Sequence, residues 1–158
     1  MSNSLRDKVL VVTGASSGIG RSIALESASR GATVILMARH QDKLEEIANE
    51  ARQLSGNEVY VFPTDISKAD QIDRAFNEIV SHVDHIDYLV NVAGFGVFKE
   101  FLETSPQVVT EMFQTNVLGL MYFTRLVARV MIDQKQGQII NFGSIAGIVP
   151  TTKTAAYS

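Results

Sequence analysis

The sequence predicts an α/β protein: a doubly wound parallel sheet with helices packed on both faces. Three observations carry that expectation. Apolar runs rich in β-branched residues recur along the 158 residues: KVLVVTG (8–14), ATVILMA (32–38), EVYVFP (58–63), DYLVNVAG (87–94) and QIINFGS (138–144). They are continuous rather than alternating, the pattern of strands buried on both faces. Segments of helical period lie between them, joined by connections of a few residues. Parallel strands need crossovers, and helices supply them.

Each element has its own signal. The first strand stops at Gly14, and a helix over 19–31 closes at Gly31, a fitting C′ residue. After the second strand, residues 41–54 place Leu44, Ile47, Ala48, Ala51 and Leu54 on one face and charged residues on the other. Pro63 ends the third strand. Ser67-Lys68-Ala69-Asp70 has the Ser-x-x-acid form of a helix start. Ile72, Ala75, Phe76, Ile79, Val80 and Val83 follow at spacings of three and four. Ser105-Pro106 reads as a cap and an N1 proline, opening a long helix to about Ile132. Gly137 launches the fifth strand.

Composition narrows the functional classes. Hydrophobic residues make up 46%, charged residues 20%, and the net charge is −3. That mixture suits a globular domain and carries no basic footprint for nucleic acid or a membrane surface. The absence of cysteine excludes disulfides, Cys-ligated zinc and thiol catalysis. The first residues lack a signal-peptide pattern, and no run approaches the ~20 apolar residues of a membrane span. A cytoplasmic protein is expected. His82-Val83-Asp84-His85 falls at a helix end, where histidines bond terminal carbonyls, so no metal site is expected.

The chemistry begins at TGASSGIG (13–20), between the first strand and the first helix. Gly14, Gly18 and Gly20 let the chain turn tightly and let a pyrophosphate approach the backbone amides. The helix behind them offers free N–H groups and a positive dipole end. The spacing is G-x-x-x-G-x-G, and no Gly-Lys-Ser/Thr follows, so an NTPase P-loop does not fit.

At this point the sequence resembles the short-chain dehydrogenase/reductase family. TGASSGIG matches its T-G-x-x-x-G-x-G cofactor loop. Asn91-Val92-Ala93-Gly94 matches its N-N-A-G motif, with Val for the second Asn. Asp65, with Ile66 beside it, follows strand three, where the family's Asp meets the adenine. Asn116 sits where the family has an active-site Asn. Ser144 ends strand five, and Tyr157 follows thirteen residues later, the usual Ser-to-Tyr spacing.

The resemblance implies a Rossmann-like sheet of which this chain supplies strands 1–5 of the order 3-2-1-4-5-6-7. It implies a nicotinamide cofactor held by Gly14, Ser16, Ser17, Gly18, Ile19, Gly20, Asp65, Ile66, Asn91, Ala93 and Gly94. Asn91 would also tie the central strands together. Hydride would pass between the cofactor and a carbonyl or alcohol, with Ser144 on the carbonyl oxygen, Tyr157 as proton donor or acceptor, and Asn116 holding a water in the proton relay. At the end of strand two, where NAD enzymes carry an acid for the ribose 2′-OH, stand Ala38 and Arg39. Arg39 can pair with a 2′-phosphate, so NADP(H) is expected over NAD(H).

The family motif continues to a lysine four residues after the tyrosine, and this chain has one residue there. A free tyrosine has a pKa of ~10, and a neighbouring ammonium supplies roughly the 4 kcal/mol that brings it near 7. Strand five also has the composition of a central strand. Residues 1–158 are therefore expected to form a single dinucleotide-binding domain, the N-terminal part of a longer enzyme and inactive alone. The competing reading is a truncated dinucleotide-binding module without catalysis. An epimerase or dehydratase of the extended branch is disfavoured, since that branch carries T-G-x-x-G-x-x-G. The helix over 106–132 is apolar nearly all round, and the family's position for it implies a homodimer or homotetramer contact. GFGVFKEF (94–101) favours a hydrophobic carbonyl substrate.

Overall fold

The computed structural model describes residues 4–149 and 151–158. Five strands form one parallel sheet: β1 (Val9–Thr13), β2 (Thr33–Ala38), β3 (Val59–Pro63), β4 (Tyr88–Asn91) and β5 (Gln138–Asn141). Their order is β3-β2-β1-β4-β5, as the family resemblance implied. The crossovers are α1 (Gly18–Ser29), α2 (Gln41–Ser55), α3 (Ala69–His82), and the pair α4 (Pro106–Phe113) and α5 (Leu120–Asp133).

Strand periodicity divides the core into two layers. Leu10 and Val12 of β1 point with Val34 and Leu36 of β2 toward Ala24 and Ala28 of α1 and Leu44 and Ala48 of α2. Val9 and Val11 point with Ile35 and Met37 toward Ile72 and Ile79 of α3 and Phe123 and Val127 of α5. Helices on both faces explain why these strands read as unbroken apolar runs. α1 ends as expected: Gly31 N–H donates to the Ala28 carbonyl (2.8 Å) and Ala32 N–H to that of Ser27 (3.1 Å).

Several elements differ from expectation, each for a local reason. β4 ends at Asn91 rather than Gly94, because Val92 and Ala93 turn their N–H groups onto the Thr13 hydroxyl. The helix expected to run unbroken from 106 to 132 is interrupted by a π-helical turn, Gln114–Gly119. Ser67 is not the cap of α3. Its hydroxyl and N–H both donate to Asp65 Oδ1, and Lys68 takes the cap position without a side-chain bond. Leu54, in the last turn of α2, is exposed, as is Val80 of α3. β5 forms an edge of this sheet, with Ile140 and Phe142 37% and 43% exposed despite their core-like composition.

Opposite the carboxyl ends of the strands, a buried carboxylate holds the sheet's lower edge. Asp87 is 5% exposed and accepts from Lys8 Nζ (2.8 Å) and the Val9 N–H (2.9 Å), with His85 Nε2 at 3.0 Å. Burial alone would raise its pKa. The Lys8 ammonium, the Val9 N–H and the His85 ring outweigh that and hold the carboxyl below the ordinary carboxylate value. A depressed folded pKa contributes stability above pH ~4 that is lost as pH falls through the folded value. Asp87→Asn is therefore expected to cost about 1–3 kcal/mol at pH 7. In urea titrations the gap from wild type should close as pH drops below about 4; a gap that persists there would exclude a role for the charge.

Candidate active site

The sheet order reverses between β1 and β4: the chain leaves β1 toward β2 over one face and β4 toward β5 over the other. Such a switch point opens a crevice at the carboxyl ends of the strands. Here the two loops are locked together. Thr13, 2% exposed at the end of β1, accepts on its Oγ1 from the Val92 and Ala93 N–H groups, both at 3.2 Å. Gly14 follows at φ +68°, where a Cβ would lie 2.7 Å from Ala93 N. Backbone meets backbone at this point, so only glycine fits. A Cβ on Gly20 would lie 2.3 Å from the Gly14 carbonyl oxygen, which seats α1 directly on the turn.

The crevice is a cavity of about 330 Å³. Gly14, Ser16, Ser17, Gly18, Ile19, Arg39, Asp65, Ile66, Ala93 and Gly94, all singled out in the sequence, line it. Asn116, Ser144 and Tyr157 do not line it, and neither do two of the residues expected to hold the cofactor. Gly20 is buried behind the turn. Asn91 is buried at the end of β4, where its Nδ2 donates to Thr124 of α5 and Asn141 of β5, each at 2.9 Å. It binds strand to strand and strand to helix rather than facing the cavity. Thr13, which opens the TGASSGIG motif, also lines the cavity, as do His40, Thr64 and Thr115, which carried no sequence signal as site residues.

The residues present fit a dinucleotide. The first turn of α1 holds no acid, its cap residue Ser17 makes no side-chain cap bond, and open space lies in front of Gly18. Free N–H groups at a positive helix end facing such a cradle suit a pyrophosphate.

Asn116 lies in the π-helical turn. Its Oδ1 accepts from the Phe95 N–H (3.0 Å) and its Nδ2 donates to the Phe95 carbonyl (2.8 Å). The amide thus clamps the loop after β4 through both of its polar atoms. The same turn ends at Gly119, where a Cβ would lie only 1.9 Å from the Ile66 carbonyl oxygen. One helical segment therefore fixes the β3 loop on one side and the β4 loop on the other. Sequence reading passed over Gly119 because nothing local shows that the carbonyl of Ile66 sits against it.

Ser144 follows β5 and caps a short 3₁₀ turn, its Oγ accepting from the Ala146 N–H (3.1 Å). That bond leaves the Ser144 hydroxyl proton free to donate. Tyr157 is half-buried. Its ring lies against Gly96, with a Cβ there about 3.0 Å from the ring carbons, and its centroid is 6.3 Å from that of Phe98. Thr154, 2% exposed, organises the segment before it, bonding Thr151 and receiving the Ser158 hydroxyl.

A family model for short chain dehydrogenases matches residues 8–158. The chain belongs to the short-chain dehydrogenase family. It is 36% identical over 155 residues to the fatty acyl-CoA reductase of Acinetobacter baylyi, covering 97% of this chain and 52% of that protein. Among solved structures, a metagenomic short-chain oxidoreductase in complex with NADP superimposes with a TM-score of 0.91 at 35% identity, covering 99% of this chain and 70% of that one. NAD+-bound xylitol dehydrogenase gives a TM-score of 0.92 at 29% identity, covering 97% and 59%. The chain spans about half the length of the curated Acinetobacter relative. The oxidoreductase fold and family are thereby shown, and both cofactor types occur among its neighbours.

Two substitutions test the locks. Thr13→Val keeps the shape but leaves the Val92 and Ala93 N–H groups without their acceptor. It should lower unfolding free energy by about 1–3 kcal/mol in urea titrations, and no change would mean water or another group replaces the hydroxyl. Gly119→Ala forces a methyl group onto the Ile66 carbonyl. A loss of about 2–4 kcal/mol is expected, with weakened dinucleotide binding through the displaced Ile66 and Thr115; wild-type stability would show that the helix can shift freely.

Proposed function

We propose that this protein is an NADP(H)-dependent oxidoreductase acting on a carbonyl or alcohol, with Tyr157 as the proton donor or acceptor. The observation that carries the cofactor choice is the end of β2. Arg39 lines the cavity there, and no acidic side chain of β2 stands beside it to accept from a ribose 2′-OH. A guanidinium pairs with a 2′-phosphate through charge-assisted hydrogen bonds of ~1.5–3 kcal/mol, which is about 10- to 150-fold in affinity.

The nicotinamide cofactor supplies or accepts the hydride. The chain's own groups do the rest. The glycine loop, Asp65, Ile66, Ala93 and Gly94 grip the dinucleotide. The Ser144 hydroxyl donates to the substrate oxygen and orients it. Tyr157 delivers the proton to that oxygen in reduction and removes it in oxidation. Its ring, resting on Gly96, is held against the loop that Asn116 clamps, so one side chain steadies the neighbourhood of another. The π-helical turn around Asn116 displaces backbone carbonyls from the regular ladder, a place for a relay water.

Phe95, Phe98 and Phe101 are exposed on the β4 loop, and Ile145, Ile148 and Val149 on the β5 loop. Both loops leave the same end of the sheet. These surfaces favour an apolar carbonyl substrate, as do relatives such as the fatty acyl-CoA reductase. Phe113, Leu118 and Met121 are exposed on α4, the π-helical turn and α5, and suit a homodimer or homotetramer contact. Among the described residues no helix is long and apolar enough to cross a membrane, in keeping with a cytoplasmic role.

Fluorescence titration with NADPH and NADH tests the reading. NADPH is expected to bind at least about 10-fold more tightly, and Arg39→Ala should erase most of that difference. Tighter binding of NADH would overturn the cofactor assignment. Absorbance at 340 nm with apolar ketones and aldehydes, read on a protein that carries the motif lysine four residues after Tyr157, tests the chemistry: Tyr157→Phe should abolish turnover with NADPH affinity intact. NADPH binding without turnover on any carbonyl would move the reading to a binding module.

A further inference from the structure

We infer that Thr154 is a positioning residue for Tyr157: its hydroxyl closes the turn from which the tyrosine hangs and so sets where the phenol points. This deepens the reading of Tyr157 as proton donor or acceptor and rests on it. Thr154 is the one buried residue of 151–158, 2% exposed among neighbours that are half-buried or exposed. A buried hydroxyl needs partners. This one uses its whole capacity of one donor and two acceptor sites. It donates to the Thr151 carbonyl (2.7 Å) and accepts from the Thr151 N–H (3.1 Å) and the Ser158 hydroxyl (2.9 Å).

The two bonds to Thr151 close a turn that is strained without them. Lys153, inside it, sits at φ +67°. That is the left-handed region, which a residue with a Cβ adopts only at a cost. After the turn, the Thr154 carbonyl accepts from the N–H groups of Tyr157 (2.7 Å) and Ser158 (2.8 Å). Thr154 therefore works in both directions. Its hydroxyl donates back into the turn before it, and its carbonyl holds the backbone of the tyrosine after it. A threonine at a helix start ordinarily turns its oxygen forward, onto the free N–H groups of the first turn. Here the hydroxyl anchors that start to the segment upstream.

Little else holds the segment. Among the described residues, no hydrogen bond joins 151–158 to the rest of the chain. Tyr157 meets the β4 loop through its ring alone, against Gly96 and 6.3 Å from Phe98 between centroids. The phenol is thus set by a ring contact at one end and by the bonds of one residue at the other. Proton transfer tolerates little displacement, and a misplacement of about 1 Å costs on the order of 100-fold in rate. Because the Thr154 bonds stay within four residues, their loss opens only this segment and leaves the sheet and the cavity intact.

Thr154→Val keeps the shape and removes the hydroxyl, and Thr154→Ser restores it. In a protein that carries the motif lysine four residues after Tyr157, Thr154→Val should lower kcat about 10- to 100-fold with the KM for NADPH unchanged. Its Tm should stay within about 2 °C of wild type. Thr154→Ser should recover kcat to within about 3-fold. In the 158-residue protein, nuclear Overhauser contacts between the Tyr157 and Phe98 rings should be lost in Thr154→Val and kept in Thr154→Ser. Unchanged kcat or unchanged ring contacts in Thr154→Val would overturn the inference, as would a serine variant as impaired as the valine one. A fall of several degrees in Tm together with weaker NADPH binding would also overturn it, by assigning Thr154 to the fold. Full turnover in Tyr157→Phe would remove the proton-donor reading and this inference with it. Lost turnover in Tyr157→Phe beside wild-type rates in Thr154→Val would remove this inference alone.

Discussion

The molecule is organised around one close contact, where the turn leaving β1 touches the loop leaving β4. A Cβ at Gly14 would lie 2.7 Å from Ala93 N, and the Thr13 hydroxyl accepts two N–H groups from the same loop. Neither strand could open its loop outward while this contact holds. The crevice between them therefore has a fixed floor, and α1, seated on the Gly14 carbonyl, has a fixed aim. A helix end directs its N–H groups only as well as its first turn is held. The aim of the free N–H groups at α1 thus follows from packing some residues away from them.

A second constraint comes from the helical segment between α4 and α5. A regular α-helix bonds its own backbone and presents side chains outward at fixed steps. The π-helical turn at Gln114–Gly119 breaks that step, and its two ends meet different loops: Asn116 holds Phe95, and Gly119 lies against Ile66. The loops after β3 and β4 both border the crevice. Their relative position is set by a single irregular turn, which accounts for an inserted residue in an otherwise uniform apolar helix.

The layered sheet and the glycine turn were legible because each rests on a local or periodic signal, while the strand order came from the family resemblance. Apolar runs without alternation announced strands covered on both faces, and the helices that cover them are present. The features that stayed hidden depend on neighbours distant in sequence. Val92 and Ala93 read as strand until the Thr13 hydroxyl, about eighty residues earlier, is seen to capture their N–H groups. The helix over 106–132 read as continuous because its apolar pattern survives the π-helical turn. Ser67 read as a cap, but Asp65 Oδ1, two residues back, competes for its hydroxyl. Site residues showed the same division: motif glycines could be found from spacing, whereas His40 and Thr115 become site residues only when β2 and the π-helical turn face one cavity.

The cavity and the segments that carry Ser144 and Tyr157 are held by different means. At the cavity, the fixing bonds join residues far apart in the chain, as from Thr13 to Ala93, and stand over a fully buried double layer. In the segments after β5, Ser144 bonds Ala146, and Thr154 bonds Thr151 and Ser158, all within four residues. Around them Ile145, Ile148 and Val149 are exposed. Long-range contacts over a packed core open only with global unfolding, whereas short-range bonds among exposed residues open locally at small cost. The shape of the cavity is therefore a property of the folded sheet, and the placement of Ser144 and Tyr157 is a property of their own short segments and of whatever packs on them.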